Sequence, residues 1–445
     1  MTVQENPRST LHKLQPLGCG AEVESLTSYF CRLAVSHSTS TTQLSRWIFG
    51  HFELMLEEDF DWRTRHFSGL REAAQRWSAG LSALTSVDRL DRLTFMHWKP
   101  VIAQNGLGIH RAGQFCPMCL YEDREKGATP YLRLQWEPKI VSVCHKHRIP
   151  LQTHCHSCAK SNIRHASALV IPGWCTSCHE FLGQEILPQT LNDFAVWSAE
   201  QVAELIAQQQ DSPLQLEPHL LQDAIQKVID TMYGGSSSAF ARGQGFPKTT
   251  VHSWMKCAGL PTLENSLRVA YKSGFSVVDL LSGRIDGWSH LAMKVQLPLL
   301  TEGEPARRRK PPRNIDWAQI EKELQRMLEL AQPIPVLSAA EQIGLDVRQL
   351  YLRCNATTRR LAARWKAFVE ERKQVNVDVA IAHLRDLEAA LGEQGRSLTM
   401  REARAHIPVA ILHKVDRCWD VIRNIRKTTE LDADWGSAND TRFRT

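Results

Sequence analysis

The chain has 445 residues and a mass of 50.5 kDa, which at roughly 150 residues per domain suggests about three structural units. With 43% hydrophobic and 23% charged residues it has the balance of a soluble globular protein, which excludes a disordered or fibrous class. Its 54 Lys and Arg against 48 Asp and Glu give a net charge of +6, too mild to argue for a nucleic-acid partner unless it is concentrated somewhere.

The opening MTVQENPRST is polar and lacks the apolar stretch of a signal peptide, and no long apolar run follows it, so a cytoplasmic protein without membrane contact is expected. Helices are predicted over 24–62, where Leu26, Tyr29, Phe30 and Leu33 recur at helical spacing and Trp47, Ile48, Phe52 and Leu54 to Leu56 form a second stripe. Such stripes usually face a core, and no site is assigned to their aromatics. A short helical segment over about 70–95 leads into the cysteine-rich part.

Of 12 cysteines, seven fall between Cys116 and Cys178, while Cys19, Cys31, Cys257, Cys354 and Cys418 are scattered. In a reducing compartment, paired CxxC steps are held by metal rather than by disulfides. Four ligand pairs occur in order: Cys116/Cys119, Cys144/His147, Cys155/Cys158 and Cys175/Cys178. Two intervening residues let a tight knuckle aim both side chains at one ion, and two knuckles close a tetrahedron, so two structural zinc ions are expected. The second set has 16 residues between its CxxC pairs, within the zinc-ribbon range, and the first has a longer insertion of 24. Spacing leaves open whether His145 replaces His147, what His154, His156 and His179 do beside the ligands, and whether the knuckles pair sequentially or cross-braced. Redox-active CxxC pairs or a disulfide scaffold are the competing readings.

FCPMCL, PYLRLQW, VSVCHKHRIPL and HCHSC, in this order and spacing, resemble the zinc-finger core of the TniQ/TnsD family of transposon targeting proteins. The lead PLGCGAEVESLTSYFCRLA, with its Glu-Ser-Leu and Arg-Leu-Ala, and the LDRLTF before the fingers resemble that family as well. Gly18-Cys19-Gly20 departs from the plainer lead of the family. The resemblance covers about 10–180 and implies a non-enzymatic protein that works with an AAA+ ATPase and a transposase, either by binding an attachment sequence or by joining an RNA-guided effector complex.

Helices over 190–209 and 216–233 are separated by DSP, and the run Gly234 to Ser238 breaks the pattern. A short helix around Phe240 to Arg242, a turn at Gly245, a helix opened by Pro247 and ending near Lys256, then Gly259-Leu260-Pro261 and a helix to Tyr271 make a helix-turn-helix. Phe240, Val251, Trp254, Gly259, Leu263, Leu267, Gly274 and Asp279 to Leu281 resemble the Cro/repressor type of DNA-binding domain. That resemblance implies a second helix in the major groove, with Lys248, Thr249, Thr250, His252, Ser253 and Lys256 on its outer face. A helix-turn-helix that only packs on a neighbour is the alternative.

Residues 301–314, TEGEPARRRKPPRN, read as a basic linker carrying the run Arg307 to Lys310. Beyond it WAQIEKELQRMLEL is amphipathic, and a second helix-turn-helix follows with its turn at Gly344. The chain then repeats at a spacing of 61, pairing Ile320 with Ile381, Leu330 with Leu391, Leu337 with Leu398 and Leu350 with Ile411. Residues 301–375 hold 15 basic and 10 acidic residues, whereas 376–445 balance 11 against 11. Arg348, Arg353, Arg359 and Arg360 of the first copy are therefore the candidates for DNA contact. Arg401, Arg404 and Lys414 take similar places in the second, where Pro408 and the neutral balance favour packing.

The expected fold is mainly α and multi-domain: a helical N-terminal domain (1–110), a double zinc-finger region (111–185), a helical domain with the repressor-like helix-turn-helix (186–300), the basic linker, and helix-turn-helix repeats over 315–375 and 376–445. No P-loop, spaced carboxylate trio or open metal site is legible, so an enzyme is not expected. The expected function is a reader of a double-stranded DNA attachment site that recruits an AAA+ ATPase. An adaptor joining an RNA-guided effector complex is the alternative, distinguished by whether the protein alone prefers one duplex.

Overall fold

The computed structural model describes residues 9–51, 67–108, 113–160, 170–187, 190–211, 214–257, 259–288, 315–412, 414–415 and 418–428. The predicted basic linker 301–314 and the Phe52 and Leu54 to Leu56 part of the second apolar stripe lie outside them. The described residues are mainly helical, their only β pairing being isolated bridges, and they divide into two compact units. No helix among them is long and apolar enough to cross a membrane.

The first unit takes Met1–Thr153, Ser161–Gly173 and Leu182–Arg309. It contains α1 (Leu26–Ser36), α2 (Thr41–His51), α3 (Glu72–Thr85), α4 (Pro117–Glu125), α5 (Asp193–Asp211), α6 (Pro218–Tyr233), α7 (Ser237–Gln244), α8 (Lys248–Lys256), α9 (Leu263–Ser273) and α10 (Val277–Ser282). The second takes His154–Lys160, Trp174–Phe181 and Lys310–Thr445. It contains α11 (Trp317–Glu329), α12 (Val336–Ile343), α13 (Val347–Arg353), α14 (Asn355–Gly392), α15 (Met400–His406) and α16 (Val409–Leu412), with a last helical run over 418–428.

In the first unit α1 is the central element, with Leu26, Tyr29, Phe30, Leu33 and Ala34 all buried. Phe30 meets Phe67 and Trp77 edge-on, Phe67 stacks on Trp77 at 4.3 Å, and Phe49 of α2 closes the cluster against Trp77. These are the offset and edge-to-face geometries aromatic rings prefer. Trp47, expected with this stripe, is exposed and stacks on His51 instead. Ser25 caps α1 by accepting from the Ser28 amide. Glu24 beside it is fully buried and gathers Arg32 Nη1 at 2.5 Å, Ser28 Oγ at 2.8 Å and the Leu17 amide at 3.2 Å. The Glu-Ser-Leu and Arg-Leu-Ala signatures are thus a cap and a buried ion pair that fasten the lead onto α1. Gly18 in that lead has φ of 69°, and a Cβ there would stand 2.2 Å from the Glu22 carbonyl oxygen, so only glycine fits.

Burial pushes the Glu24 carboxyl up to about 7, against the opposing pull of Arg32 and the hydrogen bonds. A carboxyl raised in the folded state holds its proton there at a pH where the unfolded chain has lost it, so stability falls as pH rises from about 4.5 to 7. Glu24→Gln removes the titration. The stability of the wild type relative to this variant is expected to fall by up to about 3 kcal/mol across that window. Denaturant titrations at pH 5 and 7 check it, and a wild type that gains stability relative to the variant as pH rises would contradict it.

Helix α5 packs on α9 and α10 and on the short turns Gly20–Glu22 and Leu134–Trp136. Hydrogen bonds from Ala103 to the Pro261 carbonyl and from Leu263 to the Gly106 carbonyl join the segment before the fingers to the turn before α9. The expected 1–110 and 186–300 domains therefore share one compact unit. The expected region 111–185 does not stay together: its first ligand set lies in the first unit and the knuckles of its second set lie in the second.

The second unit is built twice. Around α11 to α13 and the start of α14, Leu324, Val336, Ala339, Ala340, Leu350, Cys354 and Leu361 form one core; around the end of α14, α15, α16 and 418–428, Leu384, Leu391, Leu398, Ala403, Ile407, Leu412, Cys418, Ile422 and Ile425 form another. Ile320, Met327, Ile334, Val336, Ala339, Ile343, Cys354 and Leu361 stand 64 residues before Leu384, Leu391, Leu398, Met400, Ala403, Ile407, Cys418 and Ile425. The register of 61 read from the sequence is corrected by this packing. It would set the 44% and 41% exposed Leu330 and Leu337 against the buried Leu391 and Leu398. A slip of three residues is nearly one helical turn, so both registers produce apolar coincidences and only burial separates them. Where the first copy buries Leu324, the second has Glu388, which accepts from the Leu398 amide at 2.7 Å.

Candidate metal centres and nucleic-acid interface

Three of the four ligand knuckles have one backbone design. The amides of Cys144, Cys155 and Cys175 donate to the carbonyls of Ile149, Lys160 and Glu180, while the amides of Arg148, Ala159 and His179 donate back to the three cysteine carbonyls. That tight return puts Arg148, Ala159 and His179 at φ of 50°, 50° and 61°, the left-handed region that is strained for a side chain. The β bridges Val143 to Pro150 and Trp174 to Phe181 close two of the knuckles. The fourth is the start of α4, where Cys116 is the N-cap and its sulfur accepts from the Cys119 amide.

Cys116, Cys119, Cys144 and His147 bring their ligand atoms within 4.8 Å of one another, and so do Cys155, Cys158, Cys175 and Cys178. The groups are sequential, not cross-braced. Sulfurs stand 3.7 Å apart for Cys119 and Cys144, 3.7 Å for Cys155 and Cys178, and 3.6 Å for Cys158 and Cys175. A tetrahedral ion with sulfur bonds of about 2.3 Å requires edges of about 3.8 Å, whereas a disulfide requires about 2.05 Å. All seven cysteines are buried and unlinked. The donor sets therefore fit a closed, four-coordinate metal site each. Left to themselves, the thiols compete: hydrogen bonding from Cys116 raises Cys119 and lowers Cys144, and Cys155 does the same to Cys178 and Cys175. A divalent ion held by these residues would end that competition, since a coordinating thiol is deprotonated.

His147 offers Nδ1, 3.2 Å from Cys119 Sγ and 3.5 Å from Cys116 Sγ, while its Nε2–H donates to Glu122 Oε1 at 2.6 Å. This fixes the tautomer with the Nδ1 lone pair free for metal. Lys146 and Lys126 also reach Glu122 and, led by the Lys146 hydrogen bond, hold its carboxyl down to about 2. His145 is turned away to Gln135 and Glu22, which leaves His147 as the histidine of the set. Sequence reasoning did not single out Glu122, although it stands three residues after Cys119 on α4, where a helix puts neighbours on one face. It also missed Arg133, which binds Glu22 at 2.7 Å and both oxygens of Asp123, joining the lead to α4. Beside the second set, Asn376 of α14 donates to the Cys178 carbonyl at 2.9 Å and accepts from Lys414 at 3.0 Å. Arg372 of the same helix lies 3.6 Å from Glu180.

The helix-turn-helix elements form α7 and α8, with the left-handed Gly245 ending the first and Pro247 capping the second. Phe240, Ala241, Val251 and Trp254 are buried between them and α6. Of the predicted outer residues, Lys248, Thr249, His252 and Lys256 are exposed and Thr250 is half-exposed. Ser253 is half-exposed like Thr250, with the Gly259 amide donating to its carbonyl and glycine at 259 leaving room for its Oγ. In the second unit Arg348, Arg353, Arg359 and Arg360 are all exposed. Arg348 opens α13, which Asp346 and Gln349 cap reciprocally, whereas Arg353 leans over the Trp317 ring at 5.9 Å. In the second copy α16 is only Val409–Leu412 and Lys414 is engaged with Asn376.

Residues 21–151 match the family model described as TniQ. No curated protein matches the chain.

Proposed function

From a chain that carries a TniQ domain, whose part in transposition is target-site selection or adaptor work, we propose a protein that reads a duplex attachment site and recruits an AAA+ transposition regulator. The observation that carries this reading is the exposed face of α8, with two lysines, a histidine and two threonine hydroxyls, on a buried helix-turn-helix core packed in the same compact unit as the TniQ domain. Lysines there neutralise phosphates and supply affinity, while hydroxyls at the helix face read base edges. In the second unit, exposed Arg348, Arg359 and Arg360 offer further phosphate contacts of their own on α13 and the start of α14. Two zinc ions, one held by three cysteines with His147 and the other by four cysteines, close the two sites as structural elements, and no group of the chain is assigned a catalytic role. The protein acts in the cytoplasm, on the nucleoid when bound to DNA.

One feature favours the adaptor reading for the second unit: Leu352 is 71% exposed on α13, with Tyr351 beside it, which suits a protein contact more than a phosphate.

Selection of bound duplexes from a random library at physiological salt tests the reading. A consensus longer than about 15 base pairs is expected, because each module fixes only a few; recovery of no motif points to the adaptor. Lys256→Ala is expected to weaken all duplexes alike and lower the salt slope by about 0.9. Thr250→Ala should cost about 1 to 3 kcal/mol at a single position of the site. Equal loss on every sequence would remove Thr250 from base reading.

A further inference from the structure

Outside the metal sites and the helix-turn-helix faces, one cleft of the first unit carries buried polar atoms without partners. It has a volume of about 230 Å³ and lies between α3, the turn Leu90–Leu93 with the residues after it, and the C-terminal end of α5. Gln209, only 2% exposed, spends its amide nitrogen on the carbonyls of Arg92 and Thr94, and its Oε1 has no partner among the described residues. Arg92 Nε and His97 Nε2, which line the same cleft, are likewise buried and unpartnered. Native proteins leave few such atoms unsatisfied, and three around one cleft ask for something that fills it.

The charges around the cleft are unequal. Arg89, held at the left-handed φ of 61°, grips Asp91 with two hydrogen bonds, so these two cancel. Arg92 makes no ion pair among the described residues, and its backbone is pinned by Gln209 and Gln210. Burial and the nearby Arg89 guanidinium lower the His97 pKa, which favours a neutral imidazole. One unpaired cation and one unpaired acceptor thus line a space smaller than the roughly 300 Å³ that starts the range of whole small-molecule ligands.

We propose that this cleft receives an acidic side chain from a segment of a partner protein, its carboxylate on Arg92 and a backbone amide N–H of the same segment on Gln209 Oε1. A carboxylate completes the guanidinium by charge-assisted hydrogen bonding, and a peptide carries a backbone N–H at a fixed offset from that carboxylate for Gln209 Oε1. The site goes beyond the DNA reading above and does not depend on it, since none of its residues belongs to a helix-turn-helix.

The test uses the full chain and an array of nine-residue peptides, each with a central Asp or Glu and each paired with its Asn or Gln twin, followed by fluorescence polarisation of the best pair. The acidic peptide is expected to bind about tenfold or more tightly than its twin, and Arg92→Gln to erase that preference. Gln75→Trp, placed on an exposed position of α3 at the cleft, should block the peptide without lowering the melting temperature, which keeps the test valid if Arg92→Gln folds poorly. Arg76→Gln, which removes an exposed arginine already paired with Glu72, should change nothing. Equal binding of the twins, indifference to both cleft variants, or displacement of the peptide by a mixed-sequence duplex would overturn the proposal.

Discussion

Cys155→Ser is expected to lower the metal content from two zinc ions per chain to one and to unfold the second knuckle pair. Structural zinc contributes folding energy outright, about 10 kcal/mol or more in isolated fingers, and a closed four-cysteine set that loses one thiolate keeps only three of its four ligands. Because Asn376 ties the Cys178 carbonyl to α14, the loss should reach that helix within the second unit and appear as an early unfolding step. The first site should keep its ion. Elemental analysis with calorimetry measures both, and Cys257→Ser, an exposed cysteine outside the clusters, is the control expected to do nothing. Two ions and unchanged melting in Cys155→Ser would show the ligand set to be wrong.

Arg133→Met is the other change of large effect. Arg133 is 4% exposed, holds Asp123 with two hydrogen bonds and Glu22 with one, and lies over the rings of Tyr131 and Trp136. Removing it leaves the buried Asp123 carboxylate without its cation, a loss of about 3 to 5 kcal/mol. The double variant Arg133→Met, Asp123→Asn should recover part of this, because the stranded charge is gone. Denaturant midpoints of the wild type, both singles and the double give the coupling. An unchanged midpoint in Arg133→Met would contradict a buried network, and a double no better than the single would assign the loss to packing against the two rings.

Arg133 and both of its acidic partners lie within the residues that match the TniQ model, 21–151. Glu22 and Asp123 meet through this one side chain, and the Ser25 and Leu134 amides donate to the Leu132 and Val23 carbonyls across the same junction. Arg133 thereby carries one charge contact, to Glu22, across the junction between the lead and α4.

The sequence by itself determined what local geometry dictates. A two-residue spacer commits a pair of ligands to one ion, so the four knuckles were legible from spacing, while the grouping of knuckles and the choice of His147 over His145 waited for the fold. Gly245, Pro247 and the apolar set Phe240, Val251 and Trp254 likewise announce two helices and a turn, because caps and helical periodicity act within a few residues. Tertiary structure decided what depends on distant partners. The assignment of the second knuckle pair to the unit of α14 rests on contacts such as Asn376 with Cys178, nearly two hundred residues apart in sequence and invisible to any window. The repeat register was ambiguous by one helical turn until burial chose 64 over 61. That the turn at Gly259 returns its amide to the Ser253 carbonyl was likewise visible only in the fold. Periodicity names a face of a helix, but what covers that face is set by segments the helix meets only after the chain has folded.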